Sequence, residues 1–198
     1  YSIVGLAKNQ VRCPHGVSCK QVDLRKYAQV AELIKKLQPQ EVYYLAAFHH
    51  SSEGLLAENV ELLRQSYAVH VSGLANFLEA IKSFWPKARL FYAASSHIFG
   101  ETKNKIQDES TPINPNCIYG ITKAAGLALC RFYRLRYGVF AAAGILYNHE
   151  SFLRPEGFVS RKIIKAAVNI KRGKQKELVL GDLAAVNDWG YAPDYVRA

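Results

Sequence analysis

The sequence predicts an α/β fold, a doubly wound parallel sheet. Three observations predict it. Short apolar segments alternate with amphipathic ones from one end of the chain to the other. The short segments carry few polar letters, as strands covered on both faces do. No internal repeat and no linker-like stretch divides the 198 residues, and 49% hydrophobic content suffices for one sizeable core.

The elements follow in order. Residues 1–5 (Tyr-Ser-Ile-Val-Gly) read as a short buried strand, and Val17 to Val22 as a second, weaker one. Arg25 to Leu37 is an amphipathic helix, with Tyr27, Val30, Ile34 and Leu37 at spacings of three and four and Pro39 as its stop. Residues 41–46 form a strand. Gln65 to Phe84 is a helix whose apolar stripe is Val69, Leu74, Phe77, Leu78 and Ile81, closed by Trp85-Pro86. Residues 88–94 form a strand running into Ser95-Ser96-His97. Loop signals, Pro112 and Pro115 among them, fill Gly100 to Asn116. Tyr119 to Tyr137 is a long helix capped by Gly138. A strand over Val139 to Leu146, a helix over Pro155 to Lys171 and a short strand over Glu177 to Leu180 complete the alternation. Ligands of such sheets gather at the carboxyl ends of strands.

Composition removes several classes. Charged residues are 21% of the chain, which excludes a disordered, low-complexity protein. Lys+Arg 26 against Asp+Glu 16 gives +10, a charge suited to an anionic partner without choosing which. The basic residues are scattered and carry no RNA-reading or zinc-finger signature, so a nucleic-acid partner is not expected. The longest apolar run, Phe140 to Tyr147, falls far short of the roughly 20 residues of a spanning helix, so no membrane partner is expected either. No leader is visible, and the chain opens at Tyr1 without any methionine, as a processed or longer protein would. Cys13, Cys19, Cys117 and Cys130 match neither a disulfide framework nor a zinc spacing. Thiols, no metal site and a cytoplasmic location are expected.

The chemistry is carried by Tyr119-Gly-Ile-Thr-Lys123. Tyr and Lys four apart share one helix face. A nearby ammonium favours the phenolate and would lower the phenol from about 10 towards neutrality. Such a tyrosine exchanges a proton with a substrate hydroxyl or carbonyl. Ser95 and Ser96 stand at a strand end, 24 and 23 residues before Tyr119. Strand end, serine, loop and a Tyr–Lys helix follow each other as in the short-chain dehydrogenase/reductase superfamily.

A narrower resemblance rests on five stretches. They are residues 90–100 (LFYAASSHIFG), 119–123, 144–151 (GILYNHES), 158–162 (FVSRK) and 188–196 (DWGYAPDYV). Together they resemble the GDP-mannose 4,6-dehydratase branch of the extended superfamily, along the whole chain. The resemblance implies a Rossmann-like fold, a bound NADP and a GDP-hexose substrate. It implies a lyase: hydride leaves C4, water leaves across C5 and C6, and the hydride returns to C6. Tyr119 assisted by Lys123 would deprotonate the C4 hydroxyl. Ser95, where the family usually has threonine, would steady the C4 oxygen, with Ser96 beside it on the substrate. The family's acid/base glutamate corresponds to His97, whose imidazole can serve both roles near neutral pH.

Other positions carry over singly. Lys8 stands where the family places basic residues against the 2′-phosphate of NADP, and no acid precedes Asp23. Asp23 and Leu24 match an adenine-contacting pair. Leu45, Ala46 and Ala47 match the cofactor-facing turn, and His149 and Arg154 match further cofactor positions. Asn148 and Lys162 match positions that hold the sugar nucleotide, the lysine through phosphate. Asn187 replaces the family's arginine before Asp-Trp-Gly.

By the same resemblance Tyr1 falls at the family's second strand, and the chain is an interior piece of a longer enzyme, its sheet incomplete at both termini. None of its 13 glycines forms the G-x-x-G-x-x-G turn that meets a pyrophosphate. Residues 1–147 would then be the NADP-binding core lacking its first strand. Residues 148–198 would begin the sugar-nucleotide portion. A homodimer or homotetramer through the helices over 65–84 and 119–137 is expected. The alternatives are an NADP-dependent C4 reductase or epimerase of a related nucleotide sugar, and a degenerate relative that binds nucleotide without chemistry.

Overall fold

The computed structural model describes residues 1–48, 59–102 and 106–197. They fall into two compact units, one of residues 1–48 and 59–145, the other of residues 146–197.

In the first unit β1 (Ile3–Ala7) pairs in parallel with β2 (Val17–Gln21). A second parallel sheet has β4 (Arg89–Ala93) between β3 (Glu41–Tyr44) and β5 (Ala141–Gly144). The expected single sheet is thus two, because among the described residues β1 bonds only to β2 and β3 only to β4. All strand pairs are parallel, as alternation with helices requires.

Helix α1 (Tyr27–Leu37) packs on α3 (Leu74–Phe84). It ends where Gln38 turns left-handed (φ 44°) and returns its N–H to the Ile34 carbonyl, just before Pro39. The helix expected from Gln65 starts earlier. Asn59 caps α2 (Val60–Tyr67) by accepting the Leu62 N–H at 2.8 Å. A π-helical turn, Ala68–Gly73, joins α2 to α3. The buried Tyr44 hydroxyl donates to the Val69 carbonyl in that turn at 2.6 Å. A Cβ at Gly73 would strike the same hydroxyl. Val30, Ile34, Leu74, Leu78, Ile81, Leu90, Tyr92 and Val139 form the core, each side chain of Leu or Ile size worth about 1.5–3 kcal/mol.

Helix α4 (Ile118–Tyr137) crosses this unit and ends at Gly138 (φ 68°), as its sequence requires. Cys13 and Cys19 are joined as a disulfide, Cα atoms 5.9 Å apart, which corrects the expectation of thiols there. The loop between β1 and β2 brings the two side chains together across a turn that six residues of spacing do not reveal. Cys117 and Cys130 are free.

In the second unit β6 (Asn148–Glu150) and β7 (Trp189–Tyr191) form a parallel pair beside α5 (Val159–Lys171) and the short α6 (Ala192–Tyr195). The strand expected over Glu177 to Leu180 does not form, because no described strand pairs with it. Among the described residues no helix is long and apolar enough to cross a membrane.

Candidate active site

Strand β4 delivers Ser95 at its carboxyl end. The chain then tightens into a 3₁₀ turn, Ser96–Phe99, anchored by buried Ile98 and Phe99. Ser95 is 7% exposed, and its Oγ accepts the His97 N–H at 3.3 Å. Helix α4 starts against this turn. Cys117 caps it, its Sγ accepting the Gly120 N–H at 3.4 Å. That start sets the half-buried Tyr119 ring edge-on to the His97 ring, centroids 5.6 Å apart.

One helical turn later Lys123 is 1% exposed. Its Nζ donates to the Ala93 carbonyl at 2.7 Å and lies 5.6 Å from the Tyr119 ring centroid and 5.1 Å from that of Tyr92. Ser95, His97, Tyr119 and Lys123, separated by up to 28 positions in sequence, are therefore linked contact by contact at one strand end.

The electrostatics are those of a poorly hydrated pocket. Burial pushes the Lys123 ammonium down to about 8. Burial also pushes the Tyr119 phenol up, with Cys117 acting in the same direction. This corrects the expectation of a phenol lowered by its lysine. Lys123 directs one donor at the strand carbonyl, and what sets the phenol is burial, with Cys117 beside it. His97 keeps an exposed edge, but burial of the ring holds it below the usual imidazole value, so it is neutral at pH 7. The Cys117 Sγ lies 3.7 Å from its Nδ1.

The residues matched to a cofactor in the first unit are dispersed along strand ends. Lys8 is exposed immediately after β1. Asp23 binds Arg25 through both carboxylate oxygens, at 2.8 and 2.7 Å, and the guanidinium holds it down at about 2. The Leu24 carbonyl accepts from Asn76 at 2.8 Å. Leu45, Ala46 and Ala47 follow β3, with Leu45 62% exposed. Ser96 opens the 3₁₀ turn, half-buried.

In the second unit Asn148 donates to the Asp188 carbonyl at 3.3 Å, so its amide ties β6 to the segment before β7. His149 donates from Nδ1 to the Tyr147 carbonyl at 2.7 Å and packs its ring on Tyr195. Arg154 stacks on Phe158 at 3.8 Å, with Glu150 3.6 Å from its Nε. That Nε is buried and has no hydrogen-bond partner among the described residues. Lys162 lines a cleft of about 420 Å³ with Glu156, Lys165 and Asn169.

Sequence reading passed over His70. It is fully buried in the π-helical turn, its ring 5.2 Å from that of Tyr119. The apolar stripe ran through Val69, and the extra residue of a π turn shifts the buried face by one position.

Comparison with known proteins follows the same lines. The family model for GDP-mannose 4,6 dehydratase matches residues 3–198. GDP-mannose 4,6-dehydratase from Yersinia enterocolitica is 36% identical over 177 residues, covering 88% of this chain and 46% of that protein. GDP-mannose 4,6 dehydratase 2 from Arabidopsis thaliana is 38% identical over 194 residues, covering 93% and 50%. The chain spans about half the length of the curated relatives it matches. Among solved structures, dTDP-glucose 4,6-dehydratase from Streptomyces venezuelae with NAD and TYD bound superposes with a TM-score of 0.79 at 18% identity, covering 99% of this chain and 60% of that one. UDP-glucose 4-epimerase from Thermus thermophilus in complex with NAD gives 0.76 at 23%, covering 93% and 60%. These likenesses establish the Rossmann-like fold.

Proposed function

The chain belongs to the GDP-mannose 4,6-dehydratase family, and from that premise we propose that it carries the proton-transfer machinery of a nucleotide-sugar 4,6-dehydratase acting on GDP-mannose. The observation that carries the reading is the linked cluster of Ser95, His97, Tyr119 and Lys123 at the end of β4. Residues 1–147 serve the cofactor, and residues 148–198 begin the part that holds the nucleotide sugar.

The donor set suits an anionic dinucleotide. In the first unit Lys123 spends one of its three donors on Ala93 and Lys8 is an exposed cation. In the second unit, taken by itself, the Arg154 Nε is a buried donor without a hydrogen-bond partner among the described residues. Asp23 is already saturated by Arg25. The absence of an acid at Lys8 favours NADP over NAD. When bound, NADP supplies a hydride acceptor for C4 and the hydride that C6 receives after water has left.

The side chains do the rest. Tyr119 takes the C4 hydroxyl proton. Because burial keeps its phenol protonated, it first releases its own proton to water at its half-exposed side, and the Lys123 charge stabilises the phenolate that then accepts. Ser95 donates to the C4 oxygen. His97, neutral at pH 7, removes the C5 proton and delivers it to the C6 hydroxyl, which departs as water, and the same imidazole returns a proton from solvent to C5 when C6 is reduced. In the first unit Ser96 is offered to the substrate and Leu24, Leu45, Ala46 and Ala47 to the cofactor; in the second unit Asn148 and Lys162 are offered to the substrate, Lys162 through phosphate, and His149 to the cofactor.

The same reading includes a homo-oligomer. Helices α2 and α4 pack together and expose Leu63, Tyr67, Ile121, Phe132 and Leu135, apolar surface that a second copy would cover. It also includes a cytoplasmic location. Thiol counting at Cys13 and Cys19 on freshly lysed protein tests it.

A C4 reductase or epimerase is the second reading, favoured by His97 in place of the family glutamate. Product analysis on the full-length protein separates the two. With GDP-mannose and NADP, a dehydratase yields a 4-keto-6-deoxy sugar without net consumption of cofactor. A reductase consumes NADPH stoichiometrically with a keto sugar, and an epimerase changes only the C4 configuration.

A further inference from the structure

We propose that His70, held as its Nδ1–H tautomer, is a positioning residue that locks Tyr119 to the turn after β3. The π-helical turn Ala68–Gly73 places this side chain fully inside the protein, away from solvent. Its Nε2 accepts the backbone N–H of Phe48 at 2.9 Å. A ring nitrogen that accepts a hydrogen bond carries no proton, so in the neutral ring the proton is on Nδ1.

The other end of the ring agrees. Nδ1 lies 2.8 Å from the Thr122 Oγ1. The Thr122 hydroxyl gives its own hydrogen to the carbonyl of Ile118 or of Tyr119, at 3.0 and 3.1 Å. Its lone pairs are therefore left to accept from His70. The edge of the imidazole also meets the Tyr119 ring at 88°. One side chain thereby ties together three segments: the turn carrying Leu45, Ala46 and Ala47, the π turn, and the first turn of α4.

A leucine would fill the same volume. It would leave the Phe48 N–H and the Thr122 hydroxyl without this buried partner and Tyr119 without its orthogonal neighbour. A satisfied polar link of this kind specifies an arrangement where apolar packing only fills space. The Tyr119 phenol must meet its proton-transfer partner within a fraction of an ångström, and a displacement of about 1 Å costs about 10²-fold in rate.

The activity readout rests on the dehydratase reading; the tautomer readout does not. ¹⁵N-resolved NMR of the histidine rings in the full-length protein is expected to show His70 unprotonated at Nε2, with a slowly exchanging proton on Nδ1. The Nε2–H tautomer would overturn the proposal. In a folded His70→Ala variant, kcat for GDP-mannose dehydration is expected to fall about 10²-fold with KM unchanged, and His70→Asn to recover part of the loss. A folded His70→Ala with unchanged kcat would also overturn it. If His70→Ala does not fold, the tautomer of the native protein decides. If the native protein dehydrates no GDP-mannose, the dehydratase reading falls and the tautomer again decides the role of His70.

Discussion

Gly120 lies so close to the carbonyl oxygen of His97 that a Cβ at position 120 would overlap it. This contact seats the first turn of α4 on the 3₁₀ turn and so fixes the spacing between Tyr119 and His97. Alanine in a helix interior ordinarily stabilises by about 1 kcal/mol relative to glycine. Here the obstacle is backbone and cannot rotate aside. Gly120→Ala is expected to destabilise by about 1–3 kcal/mol and to lower kcat about 10²-fold. Thermal melts and turnover of the same sample check both, and an unchanged pair of values would contradict the close seating.

His97 makes a prediction about pH. Burial holds its imidazole below the ordinary value, so the base form dominates at pH 7 and is lost only as the pH falls through the lowered value. Turnover is expected to decline on that acid limb. His97→Ala should cost about 10²–10⁴-fold. His97→Glu should keep substantial activity with the limb moved towards lower pH, since a free glutamate titrates at about 4.3. An acid limb that stays in place in His97→Glu would remove His97 from proton transfer.

Lys123 makes a prediction about stability. Its value of about 8 in the folded protein lies below that of the unfolded chain, about 10.4. Between these values the unfolded state binds more protons, so stability rises with pH through this window, and below about 8 the burial penalty is complete. The raised tyrosines Tyr44, Tyr92 and Tyr119 act oppositely above about 10. Denaturant unfolding between pH 8 and 10 should show the rise in the native protein and not in Lys123→Met. Parallel curves for the two would contradict the buried ammonium.

How far the sequence reaches depends on how local the determinants are. Helix α4 was legible because its Tyr–Lys spacing and the Gly138 cap are local, and the structure reproduces both its extent and its end. That the start of α4 packs on the 3₁₀ turn after β4 was legible from order, since loops at the carboxyl ends of parallel strands gather on one edge of the sheet. The π turn was not, because Tyr44 from a separate strand takes the Val69 carbonyl and no periodicity within 60–84 records that. His70 was hidden for the same reason. Strands β6 and β7 are three residues each, too short to carry a period. Residues 177–180 carry the right letters for a strand but have no strand partner. The protonated phenol was missed because the loss of water around Tyr119 depends on tertiary packing.

Lys8 bears on cofactor choice. It is exposed at the end of β1, where a positive charge attracts a 2′-phosphate. Lys8→Glu is expected to weaken NADP about tenfold, about 1.4 kcal/mol, and to leave NAD unchanged. Equilibrium titration of both dinucleotides into the full-length protein checks it. Equal weakening of the two would place Lys8 away from the phosphate.

The proposed proton transfer depends on one oxygen atom, the Tyr119 hydroxyl. Tyr119→Phe removes the phenolic hydroxyl and keeps the ring that packs against His70 and His97. The decisive measurement is the rate of 4-keto-6-deoxy sugar formation from GDP-mannose by native and Tyr119→Phe full-length protein, with folding confirmed on the same samples. A loss of about 10²–10⁴-fold in a folded variant is the predicted result. Product formation at the native rate by Tyr119→Phe would contradict it.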